Sequence, residues 1–155
     1  MPSRSSNPLL ITEAAEPDIP QLCELLFFLF EQEAEWTPDP ARQAAALRMI
    51  ISEPAMGRIY CARESARVVG MVSILFTVST AEGGRAAVLE DMIVHPGRRG
   101  EGIGGQLLRE AIRRAREAGC KRLTLLTDAT NQSAMRFYAR SDFARSHMVP
   151  FRLKL

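Results

Sequence analysis

Val88-Leu89-Glu90-Asp91-Met92-Ile93-Val94-His95-Pro96-Gly97-Arg98-Arg99-Gly100-Glu101-Gly102-Ile103-Gly104-Gly105 carries the transition on which the fold turns. An apolar, β-branched run gives way to glycines and arginines. These lead into Leu107, Leu108, Ala111, Ile112 and Ala115 at helical spacing. The pattern predicts a strand over 86–94, a loop, and an amphipathic helix over 103–118 that stops at Gly119. Another strand is expected over 122–127. A helix separates it from the first, so the pair forms a β-α-β unit with parallel strands.

A glycine-rich loop between a strand and a helix N-terminus is an anion site, because unpaired backbone N–H groups and the helix dipole converge there. Gly100, Gly102 and Gly105 satisfy G-x-G-x-x-G, and Asp128 follows the next strand as a ribose-binding acid would. The dinucleotide reading nevertheless fails. Residues 95–99 intervene where that fold needs a tight turn, and too little chain follows for the second half of a doubly wound sheet. A P-loop is excluded because no Gly-Lys-Ser/Thr follows.

Outward from this unit, the three runs 58–63, 68–77 and 86–94, separated by Glu64-Ser65-Ala66-Arg67 and Glu82-Gly83-Gly84, read as an antiparallel meander. Upstream, a tail over 1–8 precedes a short strand at 9–12. A helix capped by Asp18 then runs to about residue 33, and Asp39-Pro40 opens a second helix that ends before Pro54. Downstream, a helix is expected over 132–140, followed by a closing strand pair near 143–147 and 149–155. The whole is a single α/β (α+β) domain over 1–155: helices over 13–57 on one side, then a sheet of mixed, mostly antiparallel strands over 58–155, with about four helices in all.

Three motifs in order point to a family. Arg99-Gly100-Glu101-Gly102-Ile103-Gly104 matches the R/Q-x-x-G-x-G/A signature of the GNAT superfamily of acetyl-CoA-dependent N-acetyltransferases. Val88-Leu89-Glu90-Asp91-Met92-Ile93-Val94-His95-Pro96 resembles that family's preceding strand. Asn131-Gln132-Ser133-Ala134-Met135-Arg136-Phe137-Tyr138 resembles its Asn-then-helix motif carrying Phe-Tyr. The family's usual helix end, Phe-Tyr-x-x-x-Gly-Phe, reads Phe137-Tyr138-Ala139-Arg140-Ser141-Asp142-Phe143 here. Asp can take the left-handed conformation of that glycine at some cost, so the departure is local.

The resemblance implies an acetyl-CoA-dependent N-acetyltransferase whose primary-amine acceptor attacks the thioester directly in a ternary complex. It places the backbone of Met92, Ile93 and Val94 along the cofactor's pantetheine arm, with Asn131 as a further contact. The amides of Arg99, Gly100, Glu101, Gly102, Ile103 and Gly104 would hold the pyrophosphate, with side-chain charge from Arg98 and Arg99. Glu90 is the expected base, through water, and Asp91 either the anchor of the acceptor amine or a structural partner. These are the sole carboxylates of an apolar strand covered on both faces, and strict alternation would send them to opposite faces. Tyr138 is the expected acid for the departing thiolate, while Phe137 reads as core. Glu31, Glu33, Glu35 and Trp36 fall where the family builds its acceptor wall, a composition suited to a cationic amine, although the same residues also read as a solvated helix end. Family members often dimerise through C-terminal strands, and the alternating segment 149–155 suits that role.

Composition agrees. The net charge of +2 argues against a dedicated nucleic-acid binder. That sum conceals a division: residues 1–57 hold nine acids and three bases, and the remainder nine acids and 17 bases. The proposed cofactor site thus lies in the basic part and the proposed acceptor wall in the acidic part. Cys23, Cys61 and Cys120 show neither a disulfide framework nor metal spacing, and no cysteine sits where a nucleophile would be activated. No metal is expected, His95 and His147 being isolated. The expected setting is the cytoplasm, with no signal peptide and no membrane span. Two other readings stand beside amine acetylation: an acyl-CoA-binding sensor without turnover, and a protein N-terminal or lysine acetyltransferase with a peptide acceptor.

Overall fold

In the computed structural model, residues 8–33 and 35–155 are described; most of the expected N-terminal tail, 1–7, lies outside them, as does Ala34. The elements follow as β1 (Leu9–Glu13), a 3-10 turn (Glu16–Asp18), α1 (Ile19–Glu31), α2 (Pro40–Ser52), β2 (Gly57–Glu64), β3 (Arg67–Ser79), β4 (Gly84–Val94), a second 3-10 turn (Pro96–Arg98), α3 (Ile103–Glu117), β5 (Leu123–Leu125) and α4 (Gln132–Ala139). The strands lie in chain order, β1-β2-β3-β4-β5, antiparallel except for the parallel β4–β5 pair. That pair follows from its helical crossover, as expected.

Each face of the sheet is buried by helices. Val72, Ile74 and Leu89 pack with Leu107, Leu108 and Ala111 of α3, joined by Phe137 and Tyr138 of α4. On the opposite face Cys61, Met71 and Ile93 meet Leu22, Leu25 and Leu26 of α1 and Leu47 of α2. The long apolar runs of β3 and β4 reflect this double coverage.

Helix signals behave largely as their chemistry dictates. Asp39 accepts the Arg42 N–H at 3.1 Å, a true N-cap. Asp18 does not cap α1. Its carboxylate instead takes a bidentate pair from Arg63 at 2.9 and 3.0 Å and the Ala15 N–H at 2.9 Å. A buried carboxylate gains more from a planar guanidinium than from one amide, and this pair ties the start of α1 to β2. At the end of α4, Asp142 adopts φ 65°, and the Phe143 N–H returns to the Tyr138 carbonyl at 3.3 Å. Asp thus takes the left-handed position usual for glycine. Asp142→Gly is expected to stabilise the fold by about 0.5–1 kcal/mol, a rise of roughly 1–4 °C in Tm by calorimetry; a fall would show that the Asp side chain repays its strain.

The closing strand pair is not formed. No regular structure is present over 144–155, and the sheet ends at the three-residue β5. Pro150 has no N–H to offer a ladder, and the cationic residues of this segment are engaged elsewhere, as described below.

Candidate active site

The site begins where β4 and β5 separate. Only Ala87, Val88 and Leu89 pair with β5, opposite Leu123, Thr124 and Leu125. From Glu90 to Val94 the β5-facing edge of β4 has no strand partner among the described residues, while the other edge continues on β3 through Val72–Met92, Met71–Ile93 and Gly70–Val94. An unpaired edge of backbone N–H and C=O groups where two strands part suits the amides of an extended ligand.

A β-bulge sits at the point of separation. The β3–β4 register shifts between Val72 and Ile74, so Ser73 faces both Glu90 and Asp91. Leu89, Met92 and Val94 consequently all pack toward α3, which strict alternation forbids for residues three apart. Strict alternation therefore does not hold across Glu90 and Asp91, because the bulge inserts an extra residue between Leu89 and Met92.

Asp91 is held by Ser73. Its N–H donates to Ser73 Oγ at 3.1 Å, and the hydroxyl approaches Asp91 Oδ2 at 3.4 Å. Burial, reinforced by the neighbouring Glu90 charge, pushes the Asp91 carboxyl up to about 6. Glu90 is exposed. Glu33, from the link between α1 and α2, also lies above the ordinary carboxylate range, through burial and the charges of Glu35, Glu90 and Asp128. The acidic link thus faces the carboxylate pair of β4. Glu33 matters here more than Glu31, which closes α1 in solvent. Glu35 and Trp36 border a cavity of about 400 Å³ shared with Arg152 and Lys154 of the C-terminal segment. Sequence reading missed Ser73 and these two cations, since only strand pairing and chain return bring them here.

Below the cleft, the loop from His95 to Gly102 delivers the N-terminus of α3. Gly100 and Gly102 both take φ 79°, and open space surrounds the position of a Cβ at either. The first amide to return into α3 is that of Gln106, to the Gly102 carbonyl at 3.2 Å, so the N–H groups of Ile103, Gly104 and Gly105 precede the helical ladder. Arg98 and Arg99 part company. Arg98 grips Glu64 through two contacts at 2.6 Å and Glu101 at 2.7 and 2.9 Å, which fastens the loop to the end of β2. Arg99 is held by Nε alone, to the Val94 carbonyl at 3.4 Å. The charge offered to an anion therefore comes from Arg99, while Arg98 is spent on two carboxylates. Arg99→Ala is expected to weaken CoA binding about tenfold by calorimetry, and Arg98→Ala to lower Tm more than affinity. The reverse order would reassign the two arginines.

Tyr138 packs edge-on to Phe137 and Phe143, at ring separations of 5.1 and 5.8 Å. Burial raises its phenol, so the group stays a proton donor. Among the described residues no fully buried side-chain nitrogen or oxygen lacks a partner, and none of the hydrogen bonds above engages this hydroxyl, so it is not sealed within the core. Asn131 caps α4 by accepting the Ala134 N–H at 3.0 Å. A larger groove of about 980 Å³ between α1 and α2 touches this region only at His95 and holds none of Glu90, Asp91 or Tyr138. Among the described residues no group of three His, Cys, Asp or Glu could hold a metal ion, and no helix is long and apolar enough to cross a membrane.

Comparison with known proteins places these residues in a family. The Acetyltransferase (GNAT) family model matches residues 19–143. Glucosamine 6-phosphate N-acetyltransferase of Trypanosoma brucei brucei is 30% identical over 63% of this chain and 65% of its own. Aminoalkylphosphonate N-acetyltransferase of Salmonella typhimurium is 34% identical over 56% of each. The matched part thus spans less than two thirds of either curated relative. A solved structure described as a transcriptional regulator from Bacillus halodurans C-125 is 30% identical, with a TM-score of 0.81, covering 96% of this chain and 100% of that one.

Proposed function

This chain belongs to the Acetyltransferase (GNAT) family, and we propose that it transfers an acetyl group from acetyl-CoA to a cationic primary amine by direct attack within a ternary complex. The observation that carries this reading is the separation of β4 from β5 at a bulge bearing Glu90 and Asp91, with the α3 N-terminus at the far end of the same unpaired edge. Slot, carboxylates and anion site lie on one line of chain.

The fit to the cofactor is local. The backbone of Met92, Ile93 and Val94 provides the extended edge, the amides of residues 99–104 with Arg99 suit a diphosphate, and Asn131 stands at the start of α4. Acetyl-CoA supplies an acyl group activated as a thioester. Everything else falls to the chain. An alkyl ammonium has a pKa near ~10.4, so it must shed a proton before it can attack. Asp91, raised to about 6 and next to the acceptor side, is the proton acceptor through water, and Glu90, in solvent beside Glu33, holds the arriving cation. This exchanges the two roles that resemblance assigns. Tyr138 returns a proton to the leaving sulfur. Burial raises all three thiols, Cys61 to about 12, which favours direct transfer over an acyl-cysteine route.

The acceptor class follows from charge. Both relatives named above are called N-acetyltransferases of phosphorus-bearing amines, whereas the wall here presents Glu33, Glu35, Glu90 and Trp36, which suit an amine bearing further positive charge. A thiol-release assay with acetyl-CoA and a panel of amines (spermidine, an aminoglycoside, a lysine peptide, glucosamine 6-phosphate) tests the whole reading. CoA release with the cationic amines supports it. Tight acetyl-CoA binding with no release from any amine would instead make the protein a regulator that senses the cofactor.

The domain is proposed to act as one unit over 1–155, cytoplasmic, and as a homodimer through 149–155, where Val149, Phe151, Leu153 and Leu155 are exposed. Light scattering that returns the mass of one chain across the micromolar range would refute the dimer.

A further inference from the structure

We infer that the chain's own C-terminal segment, through Arg152 and Lys154, occupies the cation-binding face of the acceptor wall, and that a cationic acceptor must displace it. The inference rests on the link between α1 and α2 being that wall. It concerns a contact between residues 117 positions apart: the Arg152 guanidinium forms an ion pair with Glu35. The same guanidinium lies over the Trp36 ring, its carbon 5.6 Å from the centroid, and Lys154 Nζ lies 5.9 Å from it. Glu35, Trp36, Arg152 and Lys154 line the open cavity of about 400 Å³.

The pattern of the segment shows what holds it. Residues 149–155 alternate, with Val149, Phe151, Leu153 and Leu155 on one side and Arg152 and Lys154 on the other. The apolar side is in solvent: Phe151 is 98% exposed and Leu153 83%. No strand pairing fixes the segment either. The two cations on Trp36 and Glu35 are therefore its attachment to the body of the protein among the contacts described. Two like charges on one ring repel, and the Glu35 carboxylate paired with Arg152 offsets that repulsion. Arg152 lies close enough to Glu33 to lower it against the opposing effects of Glu35, Glu90 and Asp128.

An ammonium and a guanidinium on an aromatic face beside a carboxylate offer the chemistry of a polycationic amine. Exposed ion pairs and cation–π contacts are individually weak and screened by salt. A tethered segment nonetheless competes at an effective concentration in the millimolar range. A monocation offers one charge against two and displaces it poorly, whereas a polyamine offers as many or more. The segment lowers the apparent affinity of every ligand of the wall by one common factor, so a polyamine, which binds the bare wall more tightly, still displaces it, and it closes the wall when none is present.

Trp36 is the single tryptophan of the chain, so its emission reports on this contact alone. In the whole chain carrying R152Q/K154Q, the ligand-free Trp36 emission should shift, spermidine titrated against it should bind about tenfold more tightly than to the wild type, and n-butylamine, a weaker ligand of the same face, should gain by a similar factor. R152K/K154R, which keeps both cations, should behave as the wild type. Unshifted emission together with equal or weaker spermidine binding in R152Q/K154Q would overturn the inference. Acetyl transfer is measured in parallel. Tighter spermidine binding with no CoA release from any amine would leave the occupancy standing and remove the acetyltransferase reading. CoA release with the same KM for spermidine in both proteins would do the opposite.

Discussion

Asp91→Asn should lower kcat/KM at pH 7 by about 10²–10³-fold, the range for loss of a positioned base, while making the protein more stable. The second half of that result follows from linkage. The Asp91 carboxyl, ordinarily 3.8, is raised to about 6 in the fold, chiefly by burial and then by Glu90. The folded state therefore binds the proton more tightly than the unfolded chain. Its stability falls as pH rises from about 4 to about 6, and the cost persists above 6. At pH 7 that cost is about 2–3 kcal/mol. Asparagine removes the charge and keeps an oxygen for the Ser73 hydroxyl, whose contact with Oδ2 is 3.4 Å, so Tm should rise by roughly 4–10 °C. The wild-type profile of kcat/KM should fall below about pH 6, and this limb should vanish in Asp91→Asn. Glu90→Gln removes the second cause of the shift, so the limb should move to lower pH while KM for a cationic amine rises. If Asp91→Asn turns over within threefold of the wild type and Glu90→Gln does not, the base is Glu90.

The parts of this structure legible in the sequence are those decided by neighbours along the chain. The Asp39-Pro40 cap, the left-handed Asp142, the stop at Gly119 and the parallel β4–β5 pair each follow from local chemistry or from one topological rule. What stayed hidden was decided across the chain. Asp18 has every mark of a helix cap, yet Arg63, distant in sequence, takes its carboxylate. Arg98 and Arg99 are the same residue type side by side, and only the presence of Glu64 at the end of β2 tells them apart. The bulge at Glu90–Asp91 leaves no trace in a period-two pattern, because the run is apolar on both faces and a slip of one residue changes no hydrophobic position. Of the acceptor wall, composition showed Glu31, Glu33, Glu35 and Trp36, while the coupling of Glu33 to β4 and the return of Arg152 required the fold.

Tyr138→Phe should slow acetyl transfer by about 30- to 100-fold at pH 7 with little change in stability. The ring contacts with Phe137 and Phe143 survive the substitution, and the hydroxyl has no partner among the hydrogen bonds described for this site, so the folded state loses nothing it was using. The kinetic effect has a calculable floor. An alkyl thiol has a pKa near ~8.5, so at pH 7 a leaving thiolate that must depart unprotonated forgoes about 2 kcal/mol, a factor of about 30. The same arithmetic fixes how the defect changes with pH. Above about 8.5 the free thiolate is the stable species, and protonating it gains nothing, so the ratio of wild-type to variant rates should contract toward one between pH 7 and pH 9. Burial holds the Tyr138 phenol above its ordinary value, so the wild type keeps its acid through that window and the contraction reflects the leaving group alone. A defect that stays constant from pH 7 to pH 9 would mean that the hydroxyl positions the acceptor or the thioester instead, and a defect under threefold at pH 7 would return Tyr138 to the core beside Phe137.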